Sequence, residues 1–221
     1  VYSQFSSVFT VYEEHFDFGY PAIMMSFDSQ GVDYISKNSG YNWFFNYNEL
    51  DDNSNTGERS NFLWHLQYKQ IGTVNTLIGS IPADTDNDEL KFFRAQGLAT
   101  RSFDYWTLAQ VYAFNYTDHK TALCVPVITD ENSQEAALNG APRATVEEVY
   151  VQIMKDINEA ITLLENTKTK ASDVVTNKPK RCVTLAAAYG LRARYNLTMG
   201  LYADAANDAE KAIAAFSGKP Y

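Results

Sequence analysis

Gly200-Leu201-Tyr202-Ala203-Asp204-Ala205-Ala206-Asn207-Asp208-Ala209-Glu210-Lys211-Ala212 decides how this chain is read. Its skeleton, Gly-x-Tyr-x2-Ala-x3-Ala-x2-Ala, is the small-residue pattern of a tetratricopeptide-type helical hairpin, in which short side chains let two helix axes approach closely. The same spacing stands 52 residues earlier at Ile153, Ile157 and Ala160. That displacement exceeds the ~34-residue period of the simple repeat, so an insertion is implied, and the segment 114–143 sits where it belongs. A generic antiparallel bundle offers the same spacing. Ala205 and Ala212 are expected where the last two helices touch.

The flanking sequence is helical as well. From Thr145 to Glu165 the apolar residues Val146, Val149, Ile153, Ile157, Ala160, Ile161 and Leu164 recur at helical spacing behind a Thr145/Glu148 capping box. The polar residues Glu147, Lys155, Asp156 and Glu159 are expected on a solvated face. Trp64, Tyr68, Ile71, Asn75 and Ile78 keep a 4-3-4-3 spacing that predicts a helix over 60–79, and further helices are predicted over about 89–112, 181–199 and 201–216. Gly200 suits a left-handed helix terminus. The helical period fails over 114–143, with Pro126, Asn139-Gly140 and Pro142, and again over 28–59, which predicts long loops. No alternating strand run appears, and the first 25 residues fit either a helix or an extended stretch. The fold expected is all-α, a tetratricopeptide-like right-handed array with long irregular loops. It divides into an aromatic, Asn-rich segment 1–59 and a helical region 60–221 of one domain.

Composition narrows the function. The 221 residues carry a net charge of −9, with 15 acids against 7 bases up to Lys120, so a phosphate backbone or an anionic lipid surface is a poor partner. No apolar run approaches the ~18–20 residues that cross a bilayer. Cys124 and Cys182 lack the companions of a zinc or CxxC site. They allow one disulfide or two thiols, the second being favoured because free Cys packs as a small core residue.

Aromatic residues crowd the first part, with 25 of the 31 lying before Lys120. The densest run is Tyr41-Asn42-Trp43-Phe44-Phe45-Asn46-Tyr47-Asn48, preceded by Asp33-Tyr34 and Lys37-Asn38. Aromatic faces stack on the C–H faces of sugar rings while Asn, Asp and Lys bond the hydroxyls. Asp33, Tyr34, Lys37, Asn38, Tyr41, Asn42 and Trp43 are therefore the candidate ligand residues, and an aromatic strand or turn packed on the helices is the competing reading. Catalytic signatures are missing: there is no nucleophile elbow, phosphate loop, dinucleotide loop or His-Glu-x2-His helix. His15, His65 and His119 are isolated, and the neighbours Glu13/Glu14 and Asp51/Asp52 are poorly placed to flank one glycosidic bond. Asp84, Asp86 and Asp88 have the 1-3-5 spacing of a calcium loop but lack its Gly and its final Glu, so they are read as acids at a helix N-terminus. No cofactor or metal is expected.

Five segments in order carry a family resemblance. They are the run from Trp64 to Ile78, Leu98-Ala-Thr-Arg101-Ser-Phe-Asp-Tyr105-Trp-Thr-Leu-Ala-Gln-Val-Tyr112, Val125-Pro126-Val127-Ile128-Thr129, Pro142-Arg143-Ala-Thr145-Val-Glu-Glu-Val-Tyr150 and Leu191-Arg192-Ala193-Arg194-Tyr195-Asn196-Leu197-Thr198-Met199-Gly200. Over residues 60–216 the chain resembles the N-terminal half of SusD/RagB-like outer-membrane lipoproteins. Cys124 departs from the family's Gly, while Asn196 and Thr198 replace aromatic residues. The resemblance implies a non-catalytic, surface-exposed, lipid-anchored outer-membrane protein that captures an oligosaccharide. It also implies a SusC-type TonB-dependent barrel as partner. Family members are roughly twice this length and carry a signal peptide and an acylated Cys, so a portion without the anchor and the C-terminal half is expected. The alternative is a repeat scaffold that binds only protein.

Overall fold

The structure is a computed structural model that describes residues 5, 7, 8, 11, 12, 14–31, 57–174 and 182–216. The chain forms two compact units, 1–70 and 71–221. Among the described residues there are eight helices and one two-stranded sheet. The expected helical fold is present.

In the first unit α1 (Tyr20–Asp28) follows Gly19, whose φ of 76° is one that L side chains rarely adopt. The open choice between helix and extended chain near the N-terminus thus resolves to helix over these residues. Helix α2 (Glu58–Gly79) begins in this unit and spans the division. Its Phe62 stacks edge-on against Phe16 at 5.9 Å, and Tyr12 touches both rings at 5.8 and 6.1 Å. Phe62, Leu63 and Leu66 are buried whereas Trp64 and Tyr68 are half-buried. The 4-3-4-3 stripe read from the sequence therefore runs along the core only from Ile71 onward.

In the second unit α3 (Asp88–Tyr112) starts at Asn87, whose side chain accepts from the amides of Glu89 and Leu90. Helix α5 (Val146–Glu165) has the expected capping box: the Glu148 amide donates to Thr145 Oγ1 and the Thr145 amide donates to Glu148 Oε2. The amide and then the hydroxyl of Thr145, both donating to Glu148 Oε2, hold the exposed Glu148 carboxyl below its ordinary pKa. Helix α7 (Leu185–Thr198) starts at the cap Thr184, and α8 (Tyr202–Ala215) follows Gly200 at φ 77°. The turn between these two helices needs this glycine.

Side-chain bonds fix the helix directions. Arg94 pairs with Glu159, Arg101 with Asp156 and Gln110 with Tyr150, so α5 runs antiparallel to α3. Arg192 bonds Asn158 and Tyr189 bonds Glu165, so α7 runs antiparallel to α5. Ser102 meets Tyr195 and Trp106 meets Thr198, which sets α7 parallel to α3. This alternation, with the first helices of successive hairpins parallel, is that of a tetratricopeptide array. Gly97 lets α3 approach the end of α2, since a Cβ there would lie 2.9 Å from Ile78 Cγ1.

The segment 114–143 is more ordered than its Pro and Gly content predicts. It contains β1 (Leu123–Pro126) and α4 (Ser133–Asn139), and β1 pairs antiparallel with β2 (Arg143–Thr145), Leu123 opposite Thr145. The pairing is held from the side by Arg143, which donates to the carbonyls of Cys124 and Leu123 at 2.5 and 2.7 Å. Tyr105 fixes the next stretch, because its hydroxyl donates to the Ile128 carbonyl and accepts from the Ile128 amide. A short helix α6 (Ala171–Val174) precedes α7.

Two expectations need correction. Asp156 does not lie on a solvated face: it is wholly buried, and Arg101 donates to both of its oxygens at 2.8 Å. Arg101 also reaches Asp130 and Asn75, so the buried guanidinium is paired on every side, and these bonds raise its pKa despite the opposing effect of burial. On α8, Ala205 is buried as expected, but Ala209 is exposed and Ala212 half-buried. Their counterparts on α5, Ile157 and Ala160, are fully buried because α5 has α3 on one side and α7 on the other, while among the described elements α8 packs chiefly on α7.

Candidate functional site

Asp33, Tyr34, Lys37, Asn38, Tyr41, Asn42 and Trp43 lie outside the described residues. What the structure does place in the first unit is a groove of about 450 Å³ lined by Val11, Tyr12, His65, Tyr68 and Lys69. Helix α2 sets three of these side chains on one side, since residues at i, i+3 and i+4 share a helix face. Leu66 and Phe62 point to the core from the other side of the same turns. The opposite wall is built by Asp17, a buried carboxylate whose Oδ2 accepts from the amides of Val11 and Tyr12 at 2.5 and 2.7 Å. Burial, then the Glu58 and Asp17 charges, push the Tyr12 phenol above its ordinary pKa, so it stays a neutral donor. Trp64 braces Tyr68 with ring centroids 4.7 Å apart.

The groove therefore combines two phenol rings with a histidine and a lysine, an apolar body with polar tips of the kind that small ligands require. Sequence reasoning missed it. In the sequence Tyr68 belongs to a helical stripe and His65 stands isolated, although His65-x2-Tyr68-Lys69 sits opposite Leu66 and carries the signal.

Elsewhere the described residues assemble no catalytic constellation. His119 stacks on Phe114 at 4.9 Å and meets Asn115 Oδ1 at 2.6 Å, and Asn115 in turn donates to Asp118. Among the described residues no group of three or more His, Cys, Asp or Glu side chains is placed to hold a metal. Asp88 and Glu89 occupy the first turn of α3, where negative charge is favoured. Cys124 is buried, Cys182 half-buried, both unpaired, and burial raises the pKa of each thiol. The two positions that replace aromatic residues have polar partners: Asn196 donates to Asp208 at 3.0 Å and Thr198 accepts from Trp106 at 3.2 Å. Asp104 on α3 is fully buried, neither oxygen has a hydrogen-bond partner among the described residues, and burial raises its pKa well above the ordinary value. No described helix is long and apolar enough to cross a membrane.

Comparison with known families matches residues 14–197 to the SusD-like model, described as starch-binding and associating with the outer membrane. A SusD-like carbohydrate-binding protein from Bacteroides vulgatus superposes with a TM-score of 0.78 at 23% identity, covering 99% of this chain and 44% of that one. A SusD superfamily protein from Bacteroides fragilis gives 0.67 at 23% identity, covering 86% and 43%. A laminarin-binding SusD-like protein gives 0.60 at 22% identity, covering 83% and 37%. The chain thus spans less than half the length of these structural relatives. Comparison with curated proteins finds no match.

Proposed function

This chain belongs to the SusD-like family, and from that premise we propose that it is the glycan-capturing part of a non-catalytic outer-membrane protein. The observation that carries the reading is the groove walled by Tyr12 and Tyr68 with His65 and Lys69 at its edge. Tyrosine rings present a flat apolar surface to the C–H face of a pyranose, and their hydroxyls, with the imidazole and ammonium, bond the ring hydroxyls. The carbohydrate-binding and laminarin-binding descriptions of two structural relatives support the same ligand class. The aromatic segment with Asp33, Tyr34, Lys37, Asn38, Tyr41, Asn42 and Trp43 is proposed as a second contributor to ligand contact. The captured oligosaccharide is passed to a SusC-type TonB-dependent barrel, and the protein is held at the cell surface by a lipid anchor.

A glycan array probed with the chain tests this, followed by calorimetric titration with the best oligosaccharide. Saturable binding that Tyr68→Ala weakens about tenfold or more supports the reading. Titration of a broad set of oligosaccharides without heat or saturation at millimolar concentration overturns it in favour of a protein-binding scaffold. The barrel partner is tested by co-purification from the outer membrane, where isolation of the protein alone counts against it.

A further inference from the structure

Charge is distributed unevenly around the groove of the first unit. Residues 1–70 carry nine acids against three bases, Lys37, Arg59 and Lys69. The groove inverts that balance: Lys69 and His65 line it, and none of its described lining residues is a carboxylate. Both side chains are exposed and stand at i and i+4 on α2, so they share one edge. Behind the other wall Asp17 is wholly buried, and the amides of Val11 and Tyr12 donate to its Oδ2.

Negative charge acts at the Tyr12 side instead. Burial, then Glu58, then Asp17 raise the Tyr12 pKa, so both carboxylates are felt at that phenol. Glu58 opens α2, and at 1.5 Å per residue His65 and Lys69 lie about 10 and 16 Å further along the helix axis. A ligand with one anionic group is thus drawn to the Lys69 edge and kept from the Tyr12 wall, a field that orients as well as attracts. An ammonium has three N–H donors, so Lys69 bonds a ligand carboxylate beside any acceptor it already has in the protein.

We propose that the groove selects uronic acids, with the C–H face of the sugar ring on Tyr68 and the ring carboxylate held between the Lys69 ammonium and the His65 imidazole. This rests on the glycan reading above and adds the charge of the ligand to it. A charge-assisted bond to the carboxylate is roughly twice as strong as the neutral bond that a hydroxyl makes at the same place, so the acid is distinguished from its neutral counterpart.

The probes are oligomers of galacturonate, of glucuronate and of mannuronate, each titrated into the intact chain beside its carboxyl-reduced form, which keeps the ring and linkage and lacks the charge. One of the acids is expected to bind about tenfold tighter than its neutral form, and added salt should shrink that ratio. Lys69→Gln brings the ratio towards one and Lys69→Arg keeps it, while Lys155→Gln on α5 leaves it unchanged. Circular dichroism checks that each variant keeps its helix content. Equal affinity for the acid and neutral forms, or saturable binding of neutral oligosaccharides alone, overturns the proposal and leaves the glycan reading standing. No saturation by these oligomers or on the glycan array overturns both. A preference for the acid that survives Lys69→Gln combined with His65→Gln also overturns the proposal, by placing the anion away from this edge.

Discussion

Arg192 grips Asp208 through the same atoms by which Arg101 grips Asp156. Nε meets Oδ2 at 2.8 Å in both pairs, and Nη2 meets Oδ1 at 2.6 Å in the first and 2.8 Å in the second. The aspartates stand 52 residues apart, the displacement of the apolar repeat, so a polar junction is repeated along with the helices. The surroundings differ. The Arg101 side chain is 4% exposed and that of Arg192 19%.

Removing one partner of a buried ion pair strands the other, and the cost rises with how dry the stranded charge is. Asp156→Ala should cost about 3–5 kcal/mol, because Arg101 keeps only Asp130 and Asn75. Asp208→Ala should cost less, about 1–3 kcal/mol, because water reaches Arg192. Urea denaturation of the two variants measures both. Equal losses would mean that burial does not set the cost.

Two glycines give opposite expectations. At Gly97 an added Cβ meets Ile78 Cγ1 at 2.9 Å, so Gly97→Ala should push α3 off the end of α2 and lose about 1–3 kcal/mol. At Gly190, inside α7, a Cβ meets nothing within 4 Å, so Gly190→Ala should gain about 0.5–1 kcal/mol by helix propensity. Thermal melting of each variant reads the sign.

Sequence showed what is local. The Thr145/Glu148 capping box and the Gly200 turn lie within four residues, so their partners are on the page of the sequence. The forks are not legible that way. Arg101 and Asp156 are 55 residues apart, and a charge on a helix reads as solvated until the neighbouring helix is known. Over 114–143 the prolines and Gly140 punctuate a strand and a short helix that are completed by Arg143 and Tyr105 from outside the segment or at its edge. The groove escaped for a related reason: Val11 and Tyr12 meet α2 only because Asp17 turns the chain back onto itself.

Asp104 gives a pH dependence whose sign follows from its environment. Burial raises its pKa in the folded state well above the ordinary value of an unfolded aspartate. Below the unfolded value, ~3.9, both states are protonated and the carboxyl costs nothing through ionisation. Above it the unfolded chain ionises first, so stability falls as pH rises until the folded pKa is reached. Asp104→Asn removes that slope. The urea midpoint of Asp104→Asn minus that of the parent should be smallest near pH 3 and grow towards pH 8. A difference independent of pH would mean that Asp104 is not carried as a neutral acid.

The groove separates binding from folding at two tyrosines. Tyr12 touches Phe16 and Phe62 at 5.8 and 6.1 Å, so Tyr12→Ala removes core contacts with the ring and should lower the melting temperature along with any glycan affinity. Tyr68 is half-buried on the outer side of α2, and among the described residues its ring meets that of Trp64, which is half-buried as well. Tyr68→Ala should therefore weaken an oligosaccharide about tenfold, near 1.4 kcal/mol, with little change in melting. Tyr68→Phe keeps the stacking face and removes one hydroxyl, so it should retain most of the affinity if stacking dominates. If Trp43 belongs to the same ligand surface, Trp43→Ala should also weaken binding about tenfold without altering the melt. A loss of stability of the ~3–5 kcal/mol typical of a buried large aromatic would place Trp43 in the core. Titration calorimetry and melting on the four variants give the outcome: equal binding by Tyr68→Ala and the parent chain would remove the groove from the ligand surface, whatever Trp43 does.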